Sequence, residues 1–209
     1  MRRTAEDAAK TRVALLEAAL IAFEEKGWRG ATFEHIAEQA GVTRGALHHH
    51  FRDKRTLLAE ALEWGWSDYG QRLFDTASPV TDGTGGADET DALDERAHPA
   101  VEELLARFVR LITGDRAFRA LASTTVLVAP QAFAHYDKGD ALDDWRERIE
   151  EIVASRGGAS NVAPQDIAGL VLVLLQGFTV AAVTRPDDLP QPDRLDATMA
   201  ALVKGLLET

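Results

Sequence analysis

The chain has 209 residues, no cysteine, 45% hydrophobic residues and a formal net charge of -11. Without cysteine, disulfides and zinc-thiolate sites are excluded, and the length suffices for a body of about 150 residues with a smaller head. The acidity is uneven: residues 1–55 hold ten Lys/Arg against eight Asp/Glu, and the remainder thirteen against twenty-six. A polyanion would therefore attract the head and repel the body. The amino terminus, MRRTAEDAAKTR, is charged and lacks the apolar core of a secretion signal, so a cytoplasmic location is expected.

Val13, Leu16, Leu20 and Phe23 recur at helical spacing and predict a first helix that Gly27 closes. Thr32 is a good N-cap for a second, in which Phe33, Ile36, Ala37 and Ala40 form one apolar stripe. Gly41 suits the left-handed position past its end, Val42 plugs the angle behind it, and Thr43 caps a third helix whose Leu47 faces the same core. Two short helices joined in this way have the layout of a helix-turn-helix.

The third helix carries Arg44, Gly45, Ala46, His48 and His49 in its first two turns, where a recognition helix meets base edges. Arg44 can donate two hydrogen bonds to guanine, Gly45 and Ala46 leave room to enter the groove, and Thr43, His48 and Lys54 suit phosphates. His48, His49 and His50 invite a metal reading. Neighbours on a helix diverge by about 100°, however, so no metal site is expected. Their expected tasks are separate: His48 toward a phosphate, His49 toward the groove floor, His50 against Phe51. Each imidazole would make DNA affinity sensitive to pH.

Asp53 caps a fourth helix from about Lys54 to Phe74, tied to the head by Leu57, Leu58, Ala61 and Leu62, with Trp64, Trp66 and Tyr69 toward its far end. Its continuity from head to body makes it a candidate lever. Residues 76–98 hold almost no large apolar group and are expected to form a mobile acidic loop. Beyond Pro99, Val101, Leu104, Leu105, Phe108 and Leu111 mark one helix, and Phe118, Leu121 and Val126 another that stops at Pro130. Trp145, Ile149 and Ile152 mark a third, which the run RGGASN separates from Pro164, a residue suited to a first helical turn. Ile167 to Val183 is apolar around nearly its whole circumference, which requires burial on several sides. Gln176 interrupts it and no basic cluster flanks it, so no membrane span is expected. The last helix, about Asp193 to Leu207, offers Leu195, Met199, Leu202 and Leu206. No alternating strand pattern occurs, and the fold class is all-α.

The first 55 positions resemble the DNA-binding domain of TetR-family transcriptional repressors, in a G-W-R-G-A-T entry, then I-A-E-Q-A-G-V-T-R-G-A-L, then H-F-R-D-K leading into the fourth helix. One departure is that relatives commonly carry a phosphate-binding tyrosine where His48 stands. The resemblance implies base readers at Arg44, Gly45 and His49, and phosphate contacts at Thr32, Thr43, His48 and Lys54. Glu34 occupies a position that faces the groove in relatives, and its role stays open. The implied organisation is a helix-turn-helix domain over residues 1–55 and a helical effector-binding and dimerisation domain over 56–209. The helices near 164–185 and 193–207 would pair with their copies in a homodimer, as a two-fold operator requires.

The resemblance further implies a pocket for a small effector. Trp66, Tyr69, Phe108, Phe118, Trp145 and Phe178 are its candidate lining, with Gln176 as a polar group in search of a partner. This aromatic set suggests an apolar or aromatic effector, and no cofactor is expected. The expected function is that of a ligand-responsive repressor; a constitutive DNA-binding protein without an effector is the alternative. An enzyme is not expected, since Glu102 with Glu103 and Asp143 with Asp144 are adjacent pairs that diverge on a helix.

Overall fold

The computed structural model describes residues 5–74, 97–133, 141–154 and 162–207. The helices in chain order are α1 (Ala5–Gly30), α2 (Phe33–Gln39), α3 (Arg44–His50), α4 (Lys54–Phe74), α5 (Ala97–Gly114), α6 (Arg116–Ser123), α7 (Ala129–Ala132), α8 (Ala141–Ala154), α9 (Pro164–Thr184) and α10 (Leu195–Leu207). A π-helical turn (Thr124–Val128) joins α6 to α7, and a short 3-10 turn (Pro186–Asp188) follows α9. No strand occurs among the described residues, so the all-α expectation holds. The expected loop at 76–98 lies outside the described residues except for 97 and 98, which open α5, and the RGGASN spacer lies outside them too.

The chain divides into two compact units, Met1–Tyr69 with Asp115–Tyr136 and Gly70–Gly114 with Asp137–Thr209. In the first, α1 buries Leu15, Leu16, Ala19, Leu20, Ala22 and Phe23 in one core with Ile36, Ala37, Leu47, Phe51, Leu57, Leu58 and Ala61. Val13, expected in that stripe, is instead 38% exposed, because the inward face begins two residues later at Leu15. Gly27 closes the first helical run as expected, by a kink after which a further helical turn follows. At φ 66° it takes the left-handed conformation open to glycine, and the chain turns there and continues helical to Gly30. Trp28 stacks on Phe23 at 5.9 Å and Ala31 N–H donates to the Gly27 carbonyl, which hold this kink.

The same unit places α6 and its π-helical turn on α1. Arg119 Nε donates to Glu24 at 3.0 Å, Arg116 pairs with Glu25 at 2.6 Å, and the Thr124 hydroxyl donates to the Leu20 carbonyl. Leu121 lies so close to α4 that a Cβ on Gly65 would fall 2.6 Å from its Cδ1. The helix expected to stop at Pro130 changes register earlier, at Thr124. Pro130 sits in the first turn of α7, where its missing N–H is tolerated, and Val126 is half-buried.

In the second unit, α5 buries Val101, Leu104, Leu105, Phe108, Val109 and Ile112, while Leu111 is half-buried because Ile112 takes the inward position. α9 packs on α8 and α5, and α10 on α5. Leu195, Met199 and Val203 are the buried stripe of α10, spaced four apart, and Leu202 and Leu206 lie beside it half-buried. α9 buries Ile167, Ala168, Val171, Leu172, Leu175 and Thr179 but leaves Leu170, Val173, Val180 and Val183 exposed at 49%, 64%, 37% and 42%.

Candidate nucleic-acid interface

The joint between α2 and α3 is built from local hydrogen bonds. Thr32 Oγ1 accepts from His35 N–H at 3.2 Å and starts α2. At its end Gly41 adopts φ 67°, its N–H donates to Glu38 O at 3.0 Å, and Val42 N–H donates to Ala37 O at 2.9 Å. These two bonds make a Schellman cap, which reverses the chain within two residues. Thr43 Oγ1 then accepts from Ala46 N–H at 3.1 Å and starts α3. Ala37 and Leu47, both buried, close the angle between the helices.

With Leu47 inward, α3 turns Arg44, Gly45, His48 and His49 to solvent, and Thr43 is exposed at its start. Nothing lies within 3.9 Å of where a Gly45 Cβ would stand, so the backbone there is open to close approach. The Thr43 hydroxyl oxygen accepts a cap bond, which leaves its O–H hydrogen for an external acceptor such as a phosphate oxygen, whereas the Thr32 hydroxyl also serves the Glu34 carboxyl. The His48 ring packs on Phe33 at 4.8 Å, and the His50 ring lies 6.2 Å from Phe51.

Arg44 is held on two sides. Its Nη1 pairs with Glu34 Oε1 at 2.6 Å, and its Nε lies 3.4 Å from His48 Nε2 in donating geometry. The Glu34 carboxyl is held below its ordinary range by its own backbone N–H, and then by the Arg44 charge and the Thr32 hydroxyl. This pairing was not legible from spacing, because Glu34 and Arg44 lie on different helices.

Lys54 is more enclosed than a lone phosphate-binding lysine. Its ammonium donates to the Trp28 carbonyl and sits 4.4 Å from the centre of the Trp28 ring, and burial pushes it below the ordinary lysine value. Two N–H donors remain for an outside acceptor. Just before it, Asp53 Oδ1 accepts from the Thr56 N–H at 2.8 Å and the Thr56 hydroxyl at 3.0 Å. Those bonds and the one from Arg52 hold the Asp53 carboxyl below its ordinary value. Spacing places Phe33 in the α2 stripe and Trp28 in the G-W-R-G-A-T entry, and does not reveal that they seat His48 and Lys54. Their signal was an aromatic ring in each approach to a candidate contact.

The candidate effector residues fall into separate groups. Trp66 and Tyr69 meet Phe118 edge-on at 6.0 and 5.1 Å within the first unit. There the Trp66 Nε1–H donates to Thr125 at 3.0 Å and the Tyr69 hydroxyl to Asp115 at 2.7 Å. Phe108 lies edge-on to Trp145 at 6.1 Å within the second, beside Phe74. Gln176 and Phe178 are half-buried on α9.

Residues 15–61, which contain α2, α3 and their cap residues, match the family described as bacterial regulatory proteins, tetR family. The chain is 40% identical over 70 residues to the HTH-type transcriptional regulator AcrR of Shigella flexneri, which covers 34% of this chain and 33% of that one. With the HTH-type transcriptional regulator TtgR of Pseudomonas putida it shares 38% identity over 93 residues, 44% of this chain and 40% of that one. The chain thus spans about a third to two fifths of the length of these curated relatives. Its fold is similar over nearly the whole length to the crystal structure of AibR in complex with isovaleryl coenzyme A and operator DNA, with a TM-score of 0.67 at 16% identity, covering 92% of this chain and 97% of that one. Taken with the capped helix pair, the family match identifies residues 15–61 as a segment of the type described as bacterial regulatory proteins, tetR family.

Proposed function

We propose that this protein is a ligand-responsive transcriptional regulator of the repressor type: a homodimer that binds a near-palindromic operator and is released by a small, largely apolar effector. The observation that carries it is the outward face of α3, where Arg44, Gly45, His48 and His49 stand exposed on a helix whose entry and register are set by caps. Arg44 and His49 would read bases with Gly45 at the groove, while Thr32, Thr43, His48 and Lys54 hold phosphates. Residues 1–55 would carry this task, and residues 56–209 effector binding and dimerisation in the cytoplasm.

The dimer rests on α9. Leu170, Val173, Gly177 and Val180 fall at i, i+3, i+7 and i+10, an apolar stripe opposite the buried face, with small Gly177 in its middle. Its length and apolar composition also meet those of a membrane span. The buried half of the helix, packed on α5 and α8, favours a second copy of the chain on the other half. The aromatic clusters around Phe118 and Trp145 support an apolar effector, and AibR, of the same fold, is described in complex with isovaleryl coenzyme A.

Selection of bound sequences from a random duplex pool tests the DNA reading. Half-sites with centres roughly 34 to 36 Å apart, or a multiple, are expected, and recovery of no preferred sequence would refute it. Thermal shift against aromatic and lipophilic compounds tests the effector, since a ligand of the folded state raises the melting temperature by mass action.

A further inference from the structure

We propose that Glu34 is a specificity-determining residue that positions Arg44, so that the two side chains read one G·C base pair together. This rests on the reading that α3 enters the major groove. Glu34 is an anion on a surface proposed to meet an anion, and its side chain is 57% exposed, so neither packing nor bulk attraction to DNA accounts for it. Besides its own backbone N–H and the Thr32 hydroxyl, it holds Arg44, through Oε1 at 2.6 Å, while His48 Nε2 takes the Nε–H at 3.4 Å. A free arginine of that length would sample many rotamers and settle on any phosphate. Held on two sides, its guanidinium keeps one direction, and the adjoining carboxylate repels phosphate oxygens.

Charge and donor counts then select a base pair. The Arg44 guanidinium retains N–H donors beyond those given to Glu34 and His48, enough for guanine O6 and N7. Glu34 Oε2 is an acceptor, and the paired cytosine offers its N4 amine on the same groove edge. An A·T pair has a single purine acceptor, N7, with the N6 donor beside it and a methyl group on the pyrimidine, so the bidentate arginine contact and the pyrimidine donor for the carboxylate are both lost.

The test uses the full chain and the duplex recovered by selection, against a scrambled duplex of equal length, for the parent, Glu34→Ala, Arg44→Ala and the double variant. Glu34→Ala is expected to bind scrambled DNA more tightly and to lose roughly tenfold in the recovered-to-scrambled affinity ratio. In the Arg44→Ala background the same change is expected to move the ratio by less than about twofold. Repeating the selection with Glu34→Ala should lose one G·C preference per half-site, which a purely structural role would leave in place. Glu34→Gln, closest in shape to the parent, should show the same direction of change if Glu34→Ala folds poorly. An unchanged ratio and motif for both variants overturns the role of Glu34 while the DNA reading stands. An equal loss with and without Arg44 overturns the pairing. If the parent itself recovers no sequence, the DNA reading falls and this proposal with it.

Discussion

At Lys54 the structure alters what a substitution should do. The ammonium lies on the Trp28 carbonyl and ring, so Lys54→Ala should lower the melting temperature of the protein as well as its affinity for all duplexes. Loss of its phosphate contact should flatten the log-log salt slope of binding by about 0.9. Arg44→Ala, on an exposed side chain, should leave melting unchanged and remove about 1 to 3 kcal/mol of sequence discrimination. Binding titrations at several salt concentrations, with parallel melts, separate the two. Asp53 yields a pH prediction. Hydrogen bonds from the Thr56 backbone and hydroxyl hold its carboxyl below the ordinary value of 3.8 in the fold, so its stabilisation is present above that value and disappears as pH falls through the folded value. Asp53→Asn keeps an N-cap without a titrating group and should flatten the acid limb of a melting profile. These caps were legible because each joins residues three apart. The seats of Lys54 and Arg44 were not, since their partners lie 26 and ten positions away on other elements.

Among the elements, the α2–α3 joint could be read from residue types because glycine, threonine and a small alanine each answer a local backbone requirement. Gly41→Ala should destabilise by about 1 kcal/mol, the penalty of a Cβ at φ 67°. The π-helical turn at Thr124–Val128 was illegible. Its Thr and Val residues suit an ordinary helix no worse, and what distinguishes it is the hydroxyls of Thr124 and Thr125, bonded to Leu20, Leu121 and Trp66. Gly65 is a second position set by distant packing. In an open helix its replacement by alanine would gain up to about 1 kcal/mol. Against buried Leu121, 2.6 Å from the new Cβ, overpacking costs about 1–3 kcal/mol, so Gly65→Ala should lower the melting temperature.

For the whole molecule, the exposed half of α9 places the dimer prediction on particular residues. Val173→Glu, at the most exposed of the large apolar positions given above, should yield monomers by light scattering at micromolar concentration and lose operator binding, while the melt of each chain remains cooperative. A dimer that survives this change would move the interface elsewhere. The apolar circumference of α9 was legible as a demand for cover on several sides; which half its own chain covers was not, since that depends on α5 and α8. The make-up of the first compact unit, Met1–Tyr69 with Asp115–Tyr136, was equally hidden, because Phe118, Leu121 and Thr124 are far from the head in sequence. That interleaving bears on biosynthesis. On the ribosome, the nascent head emerges first yet lacks the segment that completes its core until residue 136 has been translated. At about 5–20 residues per second the interval lasts several seconds. During that time Gly65 of α4 has no Leu121 to cover it, so a chaperone that holds short-lived apolar surface would engage this chain at that window, and a stop codon after Tyr69 would release a fragment that stays there.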